Sequence, residues 1–383
     1  MLIKCCLGIY YLSSIVSSAG SPSSRYQTLA ALATASPLLL DTIMSLAVNY
    51  PNPQCQHQPT SSSACHLEFV TSLREALSTA SSPSQPRNEY NENIAVLATT
   101  LIQIANIIFV GGSGTETHFV HALKILRDLE YINHRPDDAL LRLLIQKYAM
   151  LDVTRAILQR RRPLISQEFW LFADDDAEDG AETSFHAVTG CPLPLLGIFS
   201  RLALLAADLN DGRATEFEVL TKTWPVEMDL YLFGQFLRAH KSSKTESNHL
   251  TSVGLCFYWS AHLVLQRAVY RDSTSSPRVQ HTVSELVQAI RRVPVGCGPD
   301  SFLLFPFYMS SREAIAPEHR NWVRERNRQT KEIYPSPQQD ALVALLEEIW
   351  TTIDAGREHA DHLNQQWYDN VKEIETKRDL CLL

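Results

Sequence analysis

Apolar residues recur every three or four positions along most of this chain, and this spacing is the feature that most constrains its fold. Such a period places the apolar side chains on one face of an α-helix. It is clear in the segments 120–132, 140–148, 195–209, 279–290 and 342–350. Regularly spaced short segments of alternating polarity, which would indicate a β-sandwich or barrel, are scarce. The sequence therefore predicts an all-α fold.

Polar segments separate the predicted helices and are expected to be surface loops. One of them carries six acidic residues, and the others are rich in proline, serine or charged residues. The predicted loops lie near residues 51–64, 79–91, 174–182, 240–249 and 271–277. None has the length of a clear interdomain linker, and no internal repeat is visible. We therefore expect one large multi-helix domain over residues 1–383.

The composition excludes several classes of protein. Of the 383 residues, 45% are apolar and 20% are charged, which is incompatible with a wholly disordered chain. The net charge of −8 argues against a broad basic face that binds duplex nucleic acid. The eight cysteines include no C-x-x-C pair, so a zinc ribbon or redox pair is not indicated and free thiols are expected.

Two uncharged stretches have features of secreted or membrane proteins. Residues 5–20 are compatible both with a signal peptide and with a buried first helix. Residues 93–115 approach the length of a membrane span. Polar side chains such as Gln103 and Asn106, and the lack of a flanking basic cluster, favour the central helix of a bundle instead.

Two local motifs bring chemistry-bearing residues together. The sequence GGSGT at 111–115 follows an apolar run, which is the context of a nucleophile elbow centred on Ser113. The last glycine of the elbow is replaced by threonine, and the phosphate-loop and dinucleotide patterns are incomplete too. His118 and His121 are spaced for one helix face, but no third metal ligand is identifiable. We therefore assign no catalytic or metal-binding residue, and a hydrolase using Ser113 stays as an alternative.

Two basic clusters have structural explanations. Arg160, Arg161 and Arg162 precede a proline, as expected at a helix C-terminus, with a nuclear-import patch as the alternative. Five cations between Arg320 and Lys331 interleave with acidic residues. This interleaving predicts an exposed, salt-bridged helix face rather than a nucleic-acid surface.

Three ordered blocks of sequence are similar to one known family. The first block, residues 185–206, contains Thr-Gly-Cys-Pro followed by apolar residues at helical spacing. The second, residues 277–314, begins with P-x-V-Q, continues with Leu-Leu-Phe-Pro-Phe and ends with Glu-Ala. The third is a set of widely spaced residues: Arg320, Trp322, Trp350 and Trp367.

In this combination the chain resembles the fungal-specific transcription factor domain. The matching positions in the first two blocks are Thr189, Gly190, Cys191, Pro192, Leu196, Ile198, Leu202, Pro277, Val279, Gln280, Pro306, Phe307, Glu313 and Ala314. The departures are His186 near the usual acidic position, Phe305 for the usual Trp, and Ser311 for Gly. The N-terminal part resembles the family more loosely, at Ser36, Pro37, Leu38, Leu39 and Ala47. Under this resemblance, the signal-like start is the first helix of the domain.

The resemblance implies a nuclear transcription regulator without enzymatic activity. In this family the helical domain usually follows a zinc binuclear-cluster module, whose six cysteines this sequence does not supply. Zinc is therefore expected only with an upstream module, and DNA contact only through that module or a partner. The expected partners are co-regulators or a small effector, at sites that no motif fixes, with a homodimer left open and no membrane. A pathway-specific role, such as a secondary-metabolite gene cluster, is the finer expectation; an interaction protein deficient in DNA binding is another alternative.

Overall fold

A computed structural model gives the fold and confirms the all-α prediction. It describes residues 32–33, 36–49, 89–109, 114–128, 130–131, 136, 138–171, 185–239, 245–333, 337–357, 371 and 375. These residues contain helices and no strand. The helices are α1 (Pro37–Asn49), α2 (Glu89–Phe109), α3 (Thr115–Asp128), α4 (Ala139–Gln159), α5 (Phe185–Thr189), α6 (Leu193–Asn210), α7 (Glu216–Ala239), α8 (Thr245–Val264), α9 (Pro277–Arg291), α10 (Leu304–Arg312), α11 (Pro317–Ile333) and α12 (Pro337–Arg357).

Two helices, α4 and α7, begin at side chains that cap them. Asp138 is the N-cap of α4, and its carboxylate accepts a 2.8 Å hydrogen bond from the Leu141 amide. At the start of α7, the Glu218 carboxylate accepts from the Thr215 amide at 2.8 Å, and the Thr215 hydroxyl accepts from the Glu218 amide. This reciprocal pair satisfies two amides that have no partner within the helix.

One continuous core runs through the helices from α2 onwards. Helix α6 is largely buried and packs against α4, α7 and α8. At its centre, the Phe199 ring stands edge-on to Phe257 and Phe305, with ring centroids 6.4 and 5.7 Å apart. A smaller cluster joins α1 to α2. The spacing of apolar residues in the sequence thus reports the buried helix faces correctly.

Helix α6 is also the one helix in the described part of the chain with the length and composition of a membrane span. Two thirds of that window (67%) is buried inside the protein, as in the core helix of a soluble fold. The uncharged stretch at 93–115 mostly forms α2, whose side chains such as Leu97 and Ile104 lie in the core. Of the two alternatives for this stretch, a membrane span and the central helix of a bundle, the structure agrees with the central helix.

Two helices begin inside segments that the sequence predicts to be loops. Helix α2 starts at Glu89, within 79–91, and α8 starts at Thr245, within 240–249. Acidic and hydroxyl residues near these starts suit a helix N-terminus. The first turns of the two helices are therefore polar and resemble loops in sequence. Residues 271–276 do lie between helices. The predicted loops at 51–64 and 174–182, and the start at 5–20, lie outside the described residues.

Candidate functional site

The Thr-Gly-Cys-Pro sequence of the first block forms a tight turn between α5 and α6. Gly190 has φ +69°, a backbone conformation that residues other than glycine rarely adopt. A Cβ there would lie 2.6 Å from Phe302 Cβ and 2.7 Å from Val253 Cγ1. The Thr189 hydroxyl donates to the Phe185 carbonyl at 2.8 Å and accepts from the Cys191 amide at 3.2 Å. The turn therefore requires this glycine, and it sets the direction in which α6 enters the core.

The second block ends in a buried carboxylate with several partners. Glu313 lies at the end of α10, and its Oε2 accepts hydrogen bonds from Arg267 Nε at 3.0 Å and Thr274 Oγ1 at 2.8 Å. Its Oε1 lies 3.3 Å from Arg312 Nε. The Glu313 backbone carbonyl accepts from Gln280 Nε2 at 3.0 Å. The P-x-V-Q and Glu-Ala ends of the block therefore meet here.

A second buried carboxylate, Glu375, continues this group toward the C-terminus. Its Oε1 accepts hydrogen bonds from Arg312 Nη1 at 2.7 Å and from the Tyr308 hydroxyl at 2.6 Å. Its Oε2 lies 3.9 Å from Arg160 Nη2. We call the side chains around these two glutamates the buried ionic network; it comprises Arg160, Arg267, Thr274, Gln280, Tyr308, Arg312, Glu313 and Glu375.

Irregular backbone positions two of the arginines. Helix α8 ends in a π-helical turn, Leu265–Val269, which points Arg267 into the protein. π-turns of this kind occur often at functional sites. Arg160 is the C-cap of α4 and has a left-handed backbone conformation, with φ 52°. The network thus connects the ends of α4, α8 and α10 with Tyr308 in the middle of α10.

The electrostatics of the network depend on mutual pairing. Burial raises the pKa of Tyr308 well above its ordinary range, and the nearby Glu375 carboxylate raises it further. Burial alone would lower the pKa of Arg312, but Glu375 and Glu313 outweigh burial and raise it. Taking one partner out of such a pair leaves a buried charge uncompensated, typically at a cost of about 3–5 kcal/mol. Each buried charge in the network therefore depends on its partner in this arrangement of the helices.

Three residues of the third block, Arg320, Trp322 and Trp350, pack around the second block, whereas Trp367 lies outside the described residues. Trp350 Nε1 donates a 2.8 Å hydrogen bond to the Ser311 carbonyl, and the Trp322 ring lies 6.0 Å from Phe307. Arg320 donates to the Ala314 carbonyl at 2.9 Å and pairs with Asp354 on α12. The sequence blocks that lie far apart along the chain are thus parts of one packed region.

The local motifs that suggested chemistry are not assembled into a site. Ser113 lies outside the described residues, and the run before it belongs to helix α2 rather than to the strand that an elbow needs. His118 and His121 lie on α3, and the described residues hold no group of three metal-ligating side chains. Cys191 and Cys256 form no disulfide, as expected. Burial raises the pKa of both thiols, which disfavours the nucleophilic thiolate form.

The first basic cluster ends a helix, as the sequence predicts. Helix α4 stops at Gln159, and Arg160 follows as its C-cap. Arg161 pairs with Asp152 at 3.1 Å, and Arg162 pairs with Asp208 on α6. All three guanidiniums are therefore engaged within the fold.

The second basic cluster is salt-bridged but less exposed than expected. Arg328 pairs with Glu325 along α11, whereas Arg324 reaches Glu347 on α12 at 2.6 Å. Arg326 is buried and bonds Asp300 at 2.6 Å, because its side chain reaches the short 3-10 turn before α10. The helix spacing alone does not reveal that one of these cations faces inward.

A comparison with known protein families identifies the family of this chain. The fungal-specific transcription factor domain matches residues 9–382, nearly the whole chain. The chain belongs to this family. Neither the curated proteins nor the solved structures include a significant match. Membership makes the protein a transcription regulator of the fungal type and places it in a family that is not enzymatic.

Several members of the network are not apparent from the family blocks. Arg267 does give a signal, since it is a charge within the otherwise apolar segment 250–270 and such a charge needs a buried partner. Thr274 lies in a polar loop, and Glu375 lies in a charged C-terminal segment. Neither residue type is unusual in such a segment, so only the three-dimensional structure assigns them to the network.

Proposed function

We propose that this fungal-specific transcription factor domain protein is a pathway-specific regulator that acts in the nucleus. The observation that carries the proposal is the family match across residues 9–382. A secondary-metabolite gene cluster is the specific target class that we put forward. The fold supports a regulatory rather than a chemical role, because its most elaborate polar site is a buried, mutually paired network.

In the mechanism that we propose, co-regulators or a small effector bind the helical domain and bias it between two arrangements. A ligand shifts such an equilibrium only by its difference in affinity for the two states. The ionic network constrains this mechanism, because breaking one of its buried pairs is costly and both arrangements would have to keep these charges paired. DNA would be reached through an upstream zinc-cluster module or a DNA-binding partner, with no cofactor held by this chain.

The experiment compares transcripts in a strain lacking the gene with those in the complemented strain. We expect a contiguous set of genes to change together and to recover on complementation, with a fluorescent fusion concentrated in the nucleus. A transcriptome that does not change, or dispersed changes with a fusion outside the nucleus, would contradict the proposal.

A Ser113→Ala complement separates regulation from the hydrolase alternative. Because the apolar run up to Phe109 forms helix α2 rather than the strand of a nucleophile elbow, we expect this variant to restore the transcript pattern as fully as the natural sequence. If a stable Ser113→Ala protein fails to restore it, a chemical role for that serine gains support. Glu313→Gln can be complemented in parallel, since this substitution alters the buried ionic network and leaves the GGSGT sequence unchanged.

A further inference from the structure

The outer face of α7 carries a continuous row of exposed apolar side chains. Among the residues whose exposure the structure describes, nearly all of the exposed large apolar ones lie on this helix. Phe217 is 79% exposed and Trp224 is 64% exposed. We call this row the α7 stripe; it comprises Phe217, Leu220, Trp224, Met228, Tyr231, Leu232 and Phe236.

The inner face of α7 is already occupied. Val219, Val226 and Leu230 are buried against the core, and Gly234 permits close approach to α8, since a Cβ there would lie 2.5 Å from the Tyr258 hydroxyl. The helix is therefore apolar on two faces; one of them packs against the core and the other is exposed. A patch of this size is unusual on a monomer and marks an interaction surface.

We propose that the α7 stripe binds the same stripe of a second copy, with the two helices antiparallel and Met228 at the twofold axis. The positions fit this symmetry, because large apolar residues lie four and eight positions on either side of Met228. Trp224 of one copy would then face Leu232 of the second copy, and Leu220 would face Phe236 of the second copy. A twofold contact requires this kind of self-complementary surface.

The antiparallel arrangement brings the acidic residue next to Met228 close to its copy, so this residue needs a counter-charge. The acidic Asp229, which lies near the axis, already pairs with Arg201 at 2.7 Å, so its charge is compensated within each copy.

The exposed area is also near what a stable dimer needs. With a fully exposed aromatic side chain at about 200 Å², the seven side chains expose on the order of 700 Å². A standard interface buries about 800 Å² on each partner. Two stripes therefore supply most of a standard interface, and neighbouring polar groups supply the rim.

Sedimentation of the full chain at micromolar concentration tests the proposal. We expect a dimer, and we expect Trp224→Glu to weaken it at least about 30-fold, as for a hot-spot residue worth about 2 kcal/mol at 1.4 kcal/mol per tenfold. Val120→Glu is the matched control, because Val120 is an exposed apolar residue on α3, away from the stripe. This control should sediment as the natural chain does. Circular dichroism verifies that both variants are folded.

Site-specific crosslinking tests the symmetry independently of stability. Met228→Cys should form a disulfide between two copies on mild oxidation, because the axis brings this position next to itself. Phe217→Cys should form none, since its counterpart lies at the far end of the other helix. The natural chain, oxidised in parallel, controls for its own cysteines, and mass spectrometry identifies the linked positions. A monomeric natural chain, a dimer that Trp224→Glu leaves intact, or equal crosslinking at both positions would overturn the proposal.

Discussion

At the scale of single residues, Glu313 is a fully buried carboxylate with two buried arginine partners. Its carboxylate compensates Arg267 and Arg312 in a region from which water is excluded. A neutral side chain of the same shape would keep the packing and remove the charge. Glu313 therefore separates the effect of the ion pairs from the effect of filling space.

We predict that Glu313→Gln lowers the free energy of unfolding by about 3–5 kcal/mol, because a buried guanidinium loses its counter-charge. The measurement is chemical denaturation of the natural chain and the variant. Glu332→Gln is the matched control, since both Glu332 and its partner Arg328 are mostly exposed and such a pair contributes little. The double variant Glu313→Gln/Arg267→Met should recover part of the loss. Equal losses in Glu313→Gln and Glu332→Gln would contradict the importance of burial.

Two enclosed histidines also make stability depend on pH. Burial lowers the pKa of His186 to about 4 and, with a smaller contribution from Arg278, that of His262 to about 4 as well. In the unfolded chain a histidine has its ordinary pKa of about 6.5. Between these values the unfolded state binds protons that the folded state excludes, so the free energy of unfolding falls as the pH falls.

We predict a loss of roughly 3 kcal/mol for each of these histidines as the pH falls from 7 to 4. His186→Asn, which has no proton to gain there, should show a shallower decline over this range. The measurement is the slope of unfolding free energy against pH, so a lower starting stability of the variant does not matter. His121→Asn is the control, because His121 is exposed on α3. A slope that stays the same in His186→Asn would show that this imidazole is not excluded from protonation.

At the scale of helices, sequence patterns predict those elements whose two faces differ in polarity. Helix α9 begins at the predicted proline and buries Val279, Val283 and Leu286, as its spacing indicates. The end of α4 at the arginine triplet was likewise readable from the sequence. In each case a local rule, either periodicity or capping, coincides with what the tertiary structure requires.

Helix α7 shows where such patterns stop. Its apolar residues surround the helix, and that composition by itself is typical of a fully enclosed element. Only the fold shows that Trp224 and Phe236 face outward while Leu230 faces the core. The ionic network has the same limit, because Glu313 and Glu375 are brought together by long-range packing. No local spacing encodes that contact.

At the scale of the whole molecule, two described residues near the C-terminus join the main core. Val371 belongs to the cluster that begins in α2, and Glu375 bonds both Tyr308 and Arg312. The described members of the three family blocks therefore pack together with these two residues. We accordingly expect a change at residue 375 to act on the main core.

We predict that Glu375→Ala lowers the melting temperature by about 4–6 °C, given a cost of about 3–5 kcal/mol and an unfolding entropy of about 2.1 cal/mol/K per residue. Helix content and tryptophan fluorescence should still fall together, because Trp350 and the helices share one core. Glu332→Ala, at an exposed pair on α11, should leave both curves in place. If the two probes separate in Glu375→Ala, or if neither curve moves, the C-terminal segment is not part of the cooperative unit. Coincident curves at a lower temperature would instead show that the buried carboxylate stabilises the whole helical domain.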